Sequence, residues 1–416
     1  MIRHRETKPA RAAVRGGNDR RLFLAAAVAL LVWTLPARAA AQWQVPPLDG
    51  SVSGATSLKL LPNSPKLTWR VSVATPEPGK RVARIAVEGD GTHLELELEL
   101  HAATGNGTWA LSAGRLDAGT WWRALAPKLG AAAEGVTAEG VVELEGKGEW
   151  REGGPMGVVK VVWREGGLRH EADGWALAQL AVAGDFAIDA ARREVRSEGP
   201  FELTIGTITT TRFGARNFLL RALLEAAATL VVREARIEIA GGDVTLDPCT
   251  VPLSPLVLDL KLRLTRVGLQ DLAALVPDAL AAASGRVDGV VGLRWSEAEG
   301  LQMREGHLAV RKDEPAEVRL APTPGLISAS LPAEVLKHYP GLGQIETGEI
   351  PLRAELLEVT FTPDGDSEGR TAHVHLAGGP VDPKLRAPVD LTVNVRGPLE
   401  SLIKLGTSHR LQFGGR

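Results

Sequence analysis

Apolar and polar residues alternate with a period of two along much of the chain. His93 to Leu100 places Leu94, Leu96, Leu98 and Leu100 on one face and Glu95, Glu97 and Glu99 on the other. Leu256 to Leu264 repeats the pattern, with Leu256, Leu258, Leu260, Leu262 and Leu264 inward and Asp259, Lys261 and Arg263 outward. Shorter stretches read the same way: Ala235 to Ala240 with Ile237 and Ile239 inward, Val141 to Leu144, Thr371 to Leu376, and Asp390 to Arg396 with Leu391, Val393 and Val395 on one face. Side chains in a strand point alternately to opposite faces, so these segments predict a sheet that is oily on one side and charged on the other. Antiparallel sheets with one solvated face have this character, whereas buried parallel strands do not.

Breakers and period breaks complete the outline. Gly153-Gly154, Gly166-Gly167, Gly241-Gly242, Asp364-Gly365 and Gly378-Gly379 separate apolar segments, as hairpin turns do. Thr120 to Gly130 carries Trp121, Trp122, Leu125 and Leu129 at spacings of three and four, which predicts a helix. Gln270 to Ala283 carries Leu272, Leu275, Val276 and Leu280 around Pro277, which predicts two short helices or one kinked helix. The residues thus predict an elongated, mostly antiparallel β protein with one or two covering helices.

The N-terminus follows another rule. Seven basic residues up to Arg21 face only Glu6 and Asp19, a net of +5, and precede a 14-residue apolar run, Leu22 to Leu35. Pro36 and the small residues Ala37 to Ala41 follow, interrupted by Arg38. At 1.5 Å per residue the run spans about 21 Å, short of the roughly 30 Å hydrocarbon core. A cleaved export signal is the first expectation, and an uncleaved anchor over residues 22–41 is the second. Arg20-Arg21-Leu22-Phe23-Leu24 also resembles a twin-arginine signal. Either way the rest of the chain is expected outside the cytoplasm, in the periplasm.

Composition narrows the partners. The whole chain carries −2 and residues 1–41 carry +6 (eight basic, two acidic), which leaves −8 for the remainder. An acidic body is a poor counterion for phosphates, which argues against nucleic acid and against electrostatic adhesion to anionic headgroups. A lone cysteine, Cys249, allows no intramolecular disulfide. The sequence holds no phosphate loop, no H-E-x-x-H and no G-x-S-x-G. His373 and His375 share a strand face but lack a neighbouring third ligand, so solvated polar histidines are the simpler reading. The Glu95, Glu97 and Glu99 ladder reads as a cation site or, more simply, as a solvated face. Cys249 reads as an idle thiol. Trp121-Trp122 reads as core packing, with a surface contact or a plug over an oily opening as alternatives. No cofactor and no catalysis are expected.

Several segments, taken in order, resemble a known family. They are Gly241 to Pro248, Leu256 to Leu264, Val267 to Leu272, Ser284 to Gly289, Gly300-Leu301, Gly306-His307-Leu308 and Asn394 to Leu399. This succession resembles the YdbH-like family, whose domain bears the label "dicarboxylate transport" and which belongs with the AsmA-like and TamB-like envelope proteins. The resemblance lies over roughly residues 200–410. It implies a β-sheet curled into an open apolar groove that supports phospholipid transport or outer-membrane lipid homeostasis. It also implies acyl chains as ligands, attachment to the inner membrane, and outer-membrane or envelope proteins as further partners. The organisation becomes a signal or anchor (1–41), the N-terminal part of the groove (42–200) and a YdbH-like groove domain (201–416). The inward residues named above, from Leu94 to Val395, become the expected lining. A sheet closed into a sandwich, serving as an envelope assembly factor, is the alternative.

Overall fold

The computed structural model describes residues 49–57, 61, 63–129, 133–211, 213–226, 228–273, 280–296, 300–325, 327–363, 371–382, 384–385 and 388–395. It begins with a regular meander in which β1 (Gly50–Thr56), β2 (Leu67–Glu77), β3 (Lys80–Gly89), β4 (Thr92–His101) and β5 (Gly107–Asp117) each pair antiparallel with the next. Helix α1 (Ala118–Leu129) leads into the three longest strands, β6 (Val136–Arg151), β7 (Gly154–His170) and β8 (Trp175–Asp189). β9 (Glu194–Ser197) and β10 (Phe201–Thr209) share the next track along β8. β11 (Gly214–Glu225) and β12 (Thr229–Ile239) continue the ladder, and β13 (Gly242–Leu246) and β14 (Cys249–Pro252) share the track after them.

The C-terminal half repeats the scheme with excursions. β15 (Val257–Gly268) is followed by helix α2 (Leu269–Ala273), the short β16 (Leu280–Ser284) and β17 (Arg286–Ser296), and it pairs with both β13 and β17. β18 (Gly300–Val310) and β19 (Ala316–Leu320) lie together along β20 (Leu352–Phe361), with β16 on the far side of β19. A 3-10 turn (Ser328–Ser330), α3 (Ala333–His338) and α4 (Gly341–Glu346) lie between β19 and β20. β21 (Ala372–Pro380) and β22 (Val389–Val395) end the sheet. Every pairing is antiparallel. Among the described residues β1 pairs only with β2 and β22 only with β21, so this single large sheet is not closed into a barrel.

Register decides what the sheet presents. Residues directly opposed in an antiparallel pair share a face. One unbroken row of opposed residues crosses the whole ribbon: Thr56, Leu67, Gly89, Thr92, Leu116, Val142, Trp163, Val182, Leu203, Leu220, Ala235, Leu246, Leu262, Val291, Gly306, Phe361 and Ala372. It contains no charge. At about 4.8 Å per strand step, its 16 steps amount to roughly 77 Å of contour. The neighbouring row on the other face runs Thr68, Glu88, His93, Arg115, Glu143, Val162, Ala183, Glu202, Arg221 and Glu234, largely charged. Arg221 bridges Glu202 and Glu234 at 3.0 Å each. The apolar side collects into one cluster over β3–β11 and another over β15–β22 with the helices.

Some expectations change here. Gly166-Gly167 and Gly378-Gly379 lie inside β7 and β21 and are not turns. A Cβ on Gly166 would stand 2.6 Å from the Leu180 carbonyl oxygen and 2.9 Å from the Trp163 ring, so close packing at a bulge explains this glycine. Gly153 and Gly241 do lie at hairpin turns, and Asp364-Gly365 lies outside the described residues. The first helix is found at Ala118–Leu129, with Gly130 outside the described residues. Of the second, Leu269–Ala273 is helical and residues 274–279 lie outside the described residues; Leu280–Ser284 instead form β16, because the edge of β19 offers this alanine-rich stretch ladder hydrogen bonds. α3 and α4 were not expected from the sequence.

Trp109 lies across glycines of the adjacent strand and donates its indole N–H to the Met156 carbonyl at 3.3 Å. A Cβ on Gly148 would meet that carbonyl oxygen at 2.1 Å and the indole nitrogen at 2.8 Å. Gly148→Val is therefore expected to lower stability by about 3 kcal/mol, the upper range for overpacking, while Lys147→Val on the exposed face stays within about 0.5 kcal/mol. Urea midpoints of the two variants check this; equal midpoints refute it.

Candidate functional site

The candidate site is the apolar face itself. Leu98 is buried opposite Ala83 of β3; Leu94 and Leu96 pack half-buried against the same cluster opposite Val87 and Ile85, and Leu100 does so at the strand end opposite Arg81. Ile237 and Ile239 on β12 are half-buried. Leu258, Leu260 and Leu262 on β15 are half-buried and Leu264 is buried. Leu391 and Val393 on β22 are half-buried opposite Leu376 and Val374, and the Val395 side chain lies outside the description. On β4, β12 and β15 each residue is an even number of positions from a member of the uncharged row within an unbulged stretch, and Leu391 and Val393 oppose Leu376 and Val374, which stand in the same relation to Ala372, so the ladder brings these onto one face.

Leu256 is the exception. It precedes β15 in the β14–β15 connection and is 38% exposed, so it does not belong to the shielded face. The alternation in sequence ran one turn beyond the strand because Leu253 and Leu256 form an isolated bridge across Ser254-Pro255.

The opposite face is held by cross-strand pairs. Arg84 Nε donates to Glu97 at 2.8 Å and Lys80 Nζ lies 2.9 Å from Glu99. Those hydrogen bonds, and then the carboxylate charges, push both cationic groups above their ordinary pKa values. Glu95, Asp259, Lys261 and Arg263 are exposed, whereas Glu97 and Glu99 are half-buried by their partners. Exposed pairs of this kind fix orientation more than they stabilise.

Helix α1 starts where Asp117 Oδ1 accepts from the Thr120 N–H at 2.7 Å, a side-chain N-cap. Trp121 packs on the β3–β11 cluster and donates to Thr92 Oγ1 at 3.0 Å; Trp122 donates to the Val136 carbonyl at 2.8 Å. Trp121 is thus a packing residue over the apolar face. α1 follows β5, α2 follows β15 and α4 leads to β20, which puts all of them at one lip of the ribbon.

Among the described residues the chemistry-bearing side chains stand apart from one another. Burial, and then the charge of Asp259, pushes the Cys249 thiol up, away from the thiolate that reacts. His373 Nδ1 contacts Asn394 Oδ1 at 2.8 Å and His375 Nε2 contacts Asp390 Oδ1 at 2.9 Å, so each histidine serves its own β22 neighbour. Among the described residues no group of three or more His, Cys, Asp or Glu is placed to hold a metal.

An open antiparallel sheet with one continuous apolar face defines a class of protein that presents oily surface lengthwise. The family model described as YdbH-like, intermembrane phospholipid transport protein YdbH, matches residues 24–330, about three-quarters of the chain. The chain belongs to the YdbH-like family. No curated protein and no solved structure matches it. The family implies intermembrane phospholipid transport and a place in the cell envelope. The match begins inside the apolar run at residues 22–35, far upstream of the expected 200–410, and it ends before Asn394 to Leu399. No helix among the described residues is long and apolar enough to cross a membrane, and residues 1–48 lie outside them.

Proposed function

We propose that this protein holds phospholipid acyl chains against the inward leucines, isoleucines and valines of its ribbon, and that it serves lipid transport or outer-membrane lipid homeostasis from the periplasm. In this reading residues 22–41 attach it to the inner membrane, and outer-membrane or envelope proteins are its further partners. It acts by binding and not by covalent chemistry. The observation that carries the reading is the uncharged row from Thr56 to Ala372, flanked by leucines that remain half-buried. A half-covered apolar surface of that length needs a cover, and acyl chains supply one. Ten methylenes lodged on it contribute about 8 kcal/mol, micromolar affinity before ordering costs. Headgroups then lie along the lips, in water.

Mass spectrometry of lipids carried by full-length protein purified without detergent tests this. Phospholipid is expected at about one molecule or more per chain. Folded, monodisperse protein free of phospholipid would overturn the proposal.

A further inference from the structure

We propose that the apolar face, read as the acyl-chain groove above, is closed to chains between β7 and β10, with Phe186 and Phe201 forming a gate between two lipid-holding stretches. Exposure along the face is uneven. Leu180, Val182, Phe186, Ile188, Phe201 and Ile205 are between 2% and 7% exposed, so their own neighbours already cover them. The packed stretch extends through Trp109, Leu144, Val159 and Val161 on one side and Ala222 and Leu224 on the other, and the face opens beyond them: Leu94, Leu96 and Leu100 upstream, and Leu258, Leu260 and Leu262 downstream, are half-buried. A chain lying on the open stretches meets carbon surface, whereas between β7 and β10 that surface is occupied by the protein.

Two features cause the closure. The rings of Phe186 and Phe201 sit with centroids 5.8 Å apart and planes tilted by 38°, within the range of favourable aromatic pairs. Both rest on Gly184, where a Cβ would stand 2.6 Å from Phe201 Cβ and 3.1 Å from Phe186 Cε2. The missing side chain is what lets the rings sink across the face. The same strands also carry a seam of irregularities. Glu165, Gln179 and Asn217 adopt left-handed φ of 52°, 56° and 53°, beside register breaks in β7–β8 and β11–β12. Bulges bend strands and increase their twist, which draws the walls of a curled sheet together.

The consequence is that holding a lipid and passing it along the ribbon are separable steps. Passage requires the two rings to swing off Gly184, and entry to either open stretch does not.

Photolabelling of the full-length protein tests this. The protein is mixed with phosphatidylethanolamine vesicles containing phosphatidylethanolamine with a diazirine in its acyl chain, irradiated, digested and mapped by mass spectrometry. Adducts are expected in β2–β4 and β12–β15, with at least tenfold lower yield over residues 180–205. Equal yield across residues 180–205 would show an open groove and overturn the gate while leaving the groove reading intact. No adduct anywhere on the apolar face would remove the groove reading and the gate with it. In Phe186→Ala/Phe201→Ala the yield over residues 180–205 is expected to rise to that of the open stretches. A folded double variant that stays unlabelled there refutes the role of the rings. Should that variant not fold, Phe186→Leu carries the same expectation with a smaller rise.

Discussion

Full-length protein carrying Leu260→Glu is expected to stay folded and to lose most of its phospholipid, whereas Val182→Glu is expected to unfold it. Both residues point to the same apolar face, so the chemistry of the substitution is constant and only the cover differs. Leu260 is half-buried opposite Leu293, and a carboxylate there reaches water along the open stretch at a cost of about 1–2 kcal/mol. An acyl chain lying over it would strip that water and meet an unpaired charge. Val182 is 2% exposed between Trp163 and Leu203, where a carboxylate has neither water nor partner. Several kcal/mol of desolvation then stand against a total stability of about 5–15 kcal/mol. Circular dichroism, urea midpoints and lipid content by mass spectrometry read the contrast. Unfolding by Leu260→Glu to the same extent would place it in a closed core, and an undiminished lipid load would place it away from the chain.

Much of the fold was legible because period-two alternation is a direct imprint of a sheet with one wet face. Leu94 to Leu100 and Leu258 to Leu264 fell on the shared face because a strand flanked by charges leaves no other assignment. What one strand could not show was that eighteen successive tracks keep the same register. That depends on bulges at Gly166, Gln179 and Asn217, which restore parity after an extra residue and have no periodic signature. Glycine pairs misled for the same reason. Gly166-Gly167 and Gly378-Gly379 lie inside strands, where Gly166 and Gly378 allow the neighbouring backbone to approach closely, and composition alone does not separate that use from a turn. The spacing of Leu272, Leu275, Val276 and Leu280 carries the predicted helix on to Ala283, whereas residues 280–283 pair as a strand with the edge of β19. The closed stretch around Phe186 was invisible in sequence, since its residues alternate no differently from those of the open stretches.

Glu346 is the second place where a large effect is expected, and nothing in its local sequence announces it. The residue ends α4, is 4% exposed, and lies beyond the segment matched by the family model. Its carboxylate accepts from the Gly325, Ile327 and Ser328 N–H groups, the latter two at 2.7 and 2.6 Å, and from Ser328 Oγ at 3.0 Å. These donors tie the segment before α3 to α4, over a core that includes Ile327, Leu342 and Ile345. Burial pushes the carboxyl up, but the three backbone N–H groups and the hydroxyl together outweigh it and hold the group below its ordinary value. A folded value below the unfolded one means that the contribution is fully present above the ordinary glutamate range, near pH 4.5. It disappears as the pH falls through the lower folded value. Glu346→Gln removes the charge and leaves one amide oxygen for four donors, so a loss of about 3 kcal/mol at pH 7 is expected. The gap between the variant and the unaltered protein should then close as the pH drops below about 4.5. Hydrogen exchange at the Ile327 and Ser328 amides, measured at pH 7 and pH 4, reads this locally. Protection in Glu346→Gln equal to that of the unaltered protein at pH 7 would show that the carboxylate does not hold this segment.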